Sequence, residues 1–330
     1  MKVKVIYPKI SLSISNTLAI TSGCKNCSFD YVSTLLKKYM HSYANTKYSV
    51  EYSIKANTKI IVGDLFGILE KWNLIFPPSG VVLWLDTAWI KSDMPLPDNA
   101  KKQFVITTSQ WNADILTKMG ISNAIVPRAI DDEYAIKYFD SVGVSPIERK
   151  YDFMMLATGS HDGHKNEALA IKVLKELGEL EKSFLICDLP QCNAKPFSLT
   201  DDQKFMLMSQ SKVFIWLSES EGFGLPPTEA MSVGTPVIHF DSIYVNTPMN
   251  GALSFSIPVY GFKLRESPTV KKKYFPSPVY YYDDVVNTFK EALSLSAELN
   301  GEDRLQLHNH VMSNFSHKII VPKLKKYMGD

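Results

Sequence analysis

The chain has 330 residues, enough for two domains that each bury a core of their own. Hydrophobic residues make up 45% and charged residues 21%, a composition that excludes a disordered or fibrous chain. Lys and Arg number 36 against 34 Asp and Glu, and the net charge of +2 gives no whole-molecule electrostatic case for nucleic acid as a partner.

Short apolar runs rich in β-branched residues alternate with helical patterns, the signature of βαβ units and a parallel sheet. The first run, at 3–7, is interrupted by lysine and reads as an opening β-strand, not a signal peptide. Further strands are expected at 48–52, 59–62, 81–85, 104–107 and 124–126, with helices at 29–40 and 110–119, the second stopped by Gly120. Apolar periodicity lapses over 140–150, where Gly143, Pro146 and several charges mark a boundary. It divides an N-terminal Rossmann-like domain, 1–145, from a C-terminal one, 146–315. A second alternating series follows, with strands at 151–157, 183–187, 212–217 and 236–240 and helices at 165–177, 201–208 and 227–233. In the first of these helices Ala170, Val173, Leu174 and Leu177 share one face, to lie on a sheet. Helices at 284–298 and 303–314 come next, and a last amphipathic stretch, 316–330, is expected to rejoin the first domain. No apolar run reaches the roughly 18 residues of a membrane span, so the expected location is the cytoplasm.

Cys24, Cys27, Cys187 and Cys192 do not follow a zinc-finger spacing and read as buried or loop thiols, with redox chemistry at Cys24-x-x-Cys27 as the alternative. Phe262-Lys263-Leu264-Arg265 and Lys271-Lys272-Lys273 read as a solvated loop with aromatics packing inward, a peripheral contact with an anionic membrane being the alternative.

The chemistry concentrates at 212–236, a buried strand, a loop bounded by glycines and a short helix. Pro227 suits the first helical turn and Gly234 the position past the last. In an open α/β sheet, ligands bind beyond the carboxyl ends of the strands, where this loop lies. Gly222 and Gly224 admit a ligand close to the backbone, and the helix start presents its dipole and N–H groups to phosphate. Glu221 and Glu229 bracket the loop. An ionised carboxylate accepts at two oxygens and is suited to neighbouring hydroxyls, which ribose and hexose both carry. For Glu229 the alternative is compensation of the helix dipole.

Glu221-Gly-Phe-Gly-Leu-Pro-Pro-Thr-Glu229-Ala-Met with Gly234-Thr-Pro-Val-Ile resembles the E-x7-E signature of retaining GT-B glycosyltransferases of the group 1 (family 4) type. Val105-Ile-Thr-Thr-Ser109, Val126-Pro127-Arg128-Ala129-Ile130-Asp131 and Asn314-Phe315-Ser316-His317 are similar to further parts of that family. The resemblance implies an α/β fold of two Rossmann-like domains facing across a cleft. It also implies transfer of a sugar from a nucleotide-diphosphate sugar to an acceptor, with retention of configuration. Glu229 would then bind ribose hydroxyls and Glu221 the transferred sugar. Gly222, Phe223 and Gly224 would offer backbone contacts, and Leu225 would lie near the phosphates. The acceptor, whether glycan, lipid-linked or protein, is not readable.

Other positions depart from the family. The loop Thr158-Gly-Ser-His-Asp-Gly-His-Lys165 opens a helix, where a lysine is electrostatically misplaced unless it answers an anion. Lys165 matches the family's diphosphate lysine, but Ser160 stands where an arginine is expected, with His164 or His161 as partial substitutes. In the first domain Gly23 is the one counterpart of a glycine-rich phosphate loop. Asp86 occupies the stretch of a cleft histidine, as a contact to acceptor or donor sugar or as a turn cap, and Arg128 replaces an asparagine, facing cleft or hinge. No Asp-x-Asp motif occurs, so neither a metal nor a cofactor beyond the donor substrate is expected. The expected catalytic set is Glu221, Lys165 and Asp86. The missing arginine motivates a competing reading, a nucleotide-sugar-binding protein that has lost catalysis. A GT-B epimerase would not need the paired glutamates, and a dehydrogenase would need Gly-x-Gly-x-x-Gly after the first strand.

Overall fold

The computed structural model describes residues 18–22, 28–43, 58–70, 81–91, 100–142, 149–157, 163–245 and 247–327. The strands expected at 3–7 and 48–52, together with Gly23, Cys24, Cys27, Ser160 and His161, lie outside them.

The first part of the chain runs β1 (Leu18–Ser22), α1 (Ser28–Tyr43), β2 (Thr58–Asp64), α2 (Leu65–Glu70), β3 (Val81–Asp86), β4 (Ile90–Lys91), β5 (Phe104–Thr107), α3 (Gln110–Lys118), β6 (Ser122–Ile125) and α4 (Asp132–Val142). β1-β2-β3-β5-β6 form a parallel sheet in that order. Its middle strand is apolar on both faces, Val82, Leu83, Trp84 and Leu85 all being buried, as a sheet covered by helices requires. β1 escapes sequence reading because Leu18-Ala-Ile-Thr-Ser22 is short and half polar.

The second part runs β7 (Tyr151–Leu156), α5 (Glu167–Leu177), β8 (Ser183–Ile186), α6 (Asp201–Ser209), β9 (Ser211–Trp216), α7 (Leu225–Ser232), β10 (Val237–Phe240) and β11 (Ser254–Ile257). These strands form a second parallel sheet in the order β11-β10-β9-β7-β8. The chain reverses direction across that sheet between β7 and β9, so the loops after these two strands diverge at the place where such sheets bind ligands. The chain then makes β12 (Phe262–Glu266), β13 (Lys273–Pro278), α8 (Tyr282–Glu298), α9 (Gly301–Phe315) and α10 (His317–Lys325).

Local chemistry sets the helix ends. Thr200 and Gln203 close a capping box on α6, and Asn300 and Asp303 do so on α9. α5 starts at Glu167, not at 165: Asn166 is left-handed and Lys165 stands in the turn before it. Lys165 therefore stands ahead of the helix, not inside its first turn.

One departure concerns how the chain is divided. α4 packs Ala135 and Tyr138 into the core of the second sheet with Phe205, Met208 and Met231. The first crossing between the sheets therefore falls before α4, ahead of the lapse at 140–150. The return crossing lies beside it, Ile130 N–H donating to Phe315 O at 3.0 Å. α10 then lays Ile320, Val321 and Leu324 against α1 and the first sheet.

The basic-aromatic segment is a β-hairpin, not a loop. β12 and β13 pair antiparallel, and β13 also pairs with β4, Lys273 opposite Lys91 and Tyr274 opposite Ile90, so the hairpin bridges the two units. Phe275 is buried, whereas Phe262 and Leu264 face outward. The alternation of β12 turns Arg265 inward onto Glu219, at 2.6 Å from Nη2 to Oε2, and its neighbours out.

Candidate active site between the two sheets

A cavity of about 300 Å³ opens between α1 and the second sheet, a size in the lower range of small-molecule sites. α1 supplies Tyr31 and Thr34 on one side, and Leu156 and Ile186, the last residues of β7 and β8, form the floor. Leu225 and Pro226 at the start of α7 and Glu229 one turn further complete it.

The outer wall is the loop after β8, with Lys195, Phe197 and Leu199. Here the reading of Cys187 and Cys192 as thiols is overturned: they form a disulfide, with Cα atoms 5.6 Å apart. Asn193 folds the loop back, its N–H donating to Leu185 O at 2.8 Å and its Oδ1 accepting from Leu185 N–H at 2.7 Å, which carries Cys192 to Cys187.

Glu229 is 1% exposed and lines the cavity, held by side chains of two other helices. Its Oε1 accepts from Tyr31 Oη at 2.9 Å and Lys204 Nζ at 2.8 Å. Lys204 also meets Asp201 at 3.1 Å and lies 4.5 Å above the Tyr31 ring. Burial pushes the Glu229 carboxyl above its ordinary range, with Lys204 pulling it back. Burial opposes the charge on Lys204, but Glu229 and then Asp201 outweigh it and raise its pKa. Neither Tyr31 nor Lys204 carries a local signal in the sequence, and only the tertiary fold brings them to Glu229.

The helix start offers fewer donors than its position implies. Gly224 is left-handed at φ 98°, and Pro226 and Pro227 follow Leu225 without N–H groups. What remains for an anion is the Gly224 and Leu225 backbone and the helix dipole. Phe223 is buried against Phe315.

Glu221, Lys165 and Asp86 are not among the cavity's described walls. Lys165 Nζ bonds Glu221 Oε1 and lies 4.5 Å over the Trp216 ring. The anion that answers Lys165 in this structure is Glu221. Asp86 and Arg128 form a buried pair, Nη2 to Oδ2 at 2.8 Å, with Arg128 1% exposed. Arg128 faces neither cleft nor solvent; it also donates to Trp84 O at 3.2 Å and braces the end of β3. His164 stacks on Phe275 of the hairpin, 4.6 Å between centroids, and turns away from the cavity.

Gly222 lies directly on Asp86. A Cβ built there would stand 2.8 Å from the Asp86 Cβ and closer still to its carboxylate. Gly222→Ala is therefore expected to push the two units apart and to abolish most turnover, while each sheet stays folded. Wild-type turnover in that variant would show that the contact does not exist in the working enzyme.

Asp64 ends β2 next to Asp86 in register, and sequence reading passed over it although, like Asp86, it closes an apolar run. It accepts from Gly67 N–H at 2.8 Å and Trp89 Nε1–H at 3.1 Å. Burial, with Asp86 beside it, pushes its carboxyl up to about 6. An acid with a raised folded-state pKa stabilises fully below its unfolded pKa and loses that contribution as pH rises through the folded value. Asp64→Asn is thus expected to stabilise the protein at pH 7, by at most about 3 kcal/mol, and to leave it unchanged near pH 4. Thermal unfolding at the two pH values checks this, and an equal difference at both would refute it.

Residues 175–252 match the family described as "Glycosyl transferases group 1". Over its whole length the chain is 52% identical to "Putative glycosyltransferase ORF378" of Acidianus filamentous virus 2 (isolate Italy/Pozzuoli), covering 99% of that protein. The chain belongs to this family of glycosyltransferases. A second viral relative, "Putative glycosyltransferase 63" of Sulfolobus islandicus filamentous virus (isolate Iceland/Hveragerdi), is 32% identical over 67% of this chain and 75% of its own. Among solved structures, a glycosyltransferase from Rickettsia africae ESF-5 superposes with a TM-score of 0.59 at 13% identity, covering 95% of this chain and 98% of its own. WaaG, a glycosyltransferase involved in lipopolysaccharide biosynthesis, gives 0.57 at 10% identity over 95% of this chain and 100% of its own. At such identities the likeness shows the fold alone, and that fold is GT-B, two Rossmann-like units. Among the described residues no helix is long and apolar enough to cross a membrane.

Proposed function

We propose that this glycosyltransferase takes its sugar from a nucleoside-diphosphate sugar and transfers it with retention of configuration, without needing a metal. The observation that carries the reading is the cavity that joins an apolar slot, a buried carboxylate and the start of α7. The slot of Leu156, Ile186 and Leu199 suits the flat apolar faces of a nucleobase, and Glu229 is set to receive ribose hydroxyls. The diphosphate would then pass the amino end of α7, where a negative charge is favoured by about 0.3–1 kcal/mol when exposed and up to about 2 when partly buried. Beyond it lie Glu221, for the transferred sugar, and Lys165, for charge on the departing diphosphate.

Thermal unfolding in the presence of UDP-, GDP- and ADP-sugars tests the donor, since a ligand of the native state raises the transition temperature. A rise with at least one nucleotide sugar, absent with the free sugar, is expected. The anomeric configuration of the product, read by proton NMR, tests retention. Failure of every nucleotide sugar to bind would overturn the reading.

A further inference from the structure

Three successive residues of the Glu221 loop are docked on the facing unit. Ser220 Oγ donates to Ala88 O, Trp111 Nε1 donates to Glu221 O at 2.8 Å, and Thr108 Oγ1 donates to Gly222 O at 2.6 Å. Thr108 belongs to the β5–α3 turn of the first unit and Trp111 to the first turn of α3, and they are 0% and 5% exposed. On the loop's own side, the Glu221 N–H donates to Tyr244 O at 2.8 Å. The Glu221 peptide is thus held through its N–H by one unit and through its C=O by the other. The Tyr244 ring stands edge-on to Trp111, 5.4 Å between centroids and 86° between planes, which fixes the indole. Asn112, in the same turn as Trp111, ties it to the end of β3 by accepting from Thr87 N–H at 2.8 Å and donating to Thr87 O at 3.2 Å.

A carbonyl left without a donor in a buried place is costly, and a loop flanked by two glycines has little stiffness of its own. The loop's orientation therefore depends on donors that belong to the other half of the molecule. We infer that Trp111 and Thr108 are positioning residues, a latch that aims the Glu221 carboxylate only when the two units are closed on each other. The inference rests on the donor reading for Glu221, but not on the identity of base, sugar or acceptor. It makes the first unit responsible for assembling the sugar subsite in addition to any role toward the acceptor.

The test compares Thr108→Val and Trp111→Phe, which remove the donors and keep most of the shape, with Thr108→Ser, which keeps the hydroxyl. Release of nucleoside diphosphate is measured on whichever UDP-, GDP- or ADP-sugar the wild type accepts. Each donor-less variant is expected to lose about 5- to 10-fold in kcat, with the donor KM unchanged, because the contacts at Glu229 are untouched. Thr108→Ser recovers most of the loss. Small-angle scattering of the ligand-free protein gives a readout independent of substrate: both donor-less variants are expected to be more open than the wild type. Wild-type kcat in both variants, or an equal rise in KM, overturns the latch and leaves the donor reading standing. Should no nucleotide sugar be a substrate, the donor reading fails, and unchanged scattering profiles then overturn the latch independently.

Discussion

Lys165→Ala is expected to lower turnover by about 10²–10³ without unfolding the protein, the range for losing a group that acts on transition-state charge. Lys165 sits outside α5, against Glu221 and over the face of Trp216, so its removal takes no residue from a helix or a strand. Its effect belongs to the chemical step. The lysine and Glu221 satisfy each other, and the proposed donor would bring a diphosphate that competes for the same ammonium. If the two act as one unit, a double variant with Glu221→Gln will be little worse than either single one. Near-normal turnover in Lys165→Ala would reduce the pair to a structural ion pair and leave the departing diphosphate without its cation.

Glu229→Ala is expected to do two separable things. Donor binding should be lost, seen as disappearance of the nucleotide-induced thermal shift. Stability should also fall by about 3 kcal/mol, the lower end for breaking a buried ion pair from one side, because Asp201 stays with Lys204. Glu229→Gln separates the effects. Its amide oxygen still accepts from Tyr31 and Lys204, so most of the stability returns, whereas a carboxylate's grip on two hydroxyls does not. A glutamine variant that binds nucleotide sugar like the wild type would leave the cavity without its proposed occupant.

The parts of the fold legible in the sequence are those in which one signal suffices. β3, β5 and β9 are apolar on both faces, and α3, α5 and α6 carry their stop or start residues within one or two positions of where they act. The loop from Glu221 to Glu229 was legible because glycine, proline and acid each have a local reason to stand there. What escaped depends on partners far along the chain. Tyr31 and Lys204 enter the candidate site only through a contact with Glu229, 198 residues from the first and 25 from the second. The buried pairing of Asp86 with Arg128 is equally invisible in the sequence, and Lys165 reads as a helix-start cation until the helix is seen to begin after Asn166. The disulfide was hidden because Cys187-x4-Cys192 needs the turn at Asn193, which spacing alone does not announce.

The pairing of β13 with β4 has a kinetic consequence. Its partners, Lys273 with Lys91 and Tyr274 with Ile90, are far apart in the chain, so the ladder cannot nucleate folding and must wait for loop closure over an already organised chain. The β13–β4 rungs should therefore gain amide protection after both parallel sheets in a refolding experiment. The cleft they span would then be the last region of the molecule to mature.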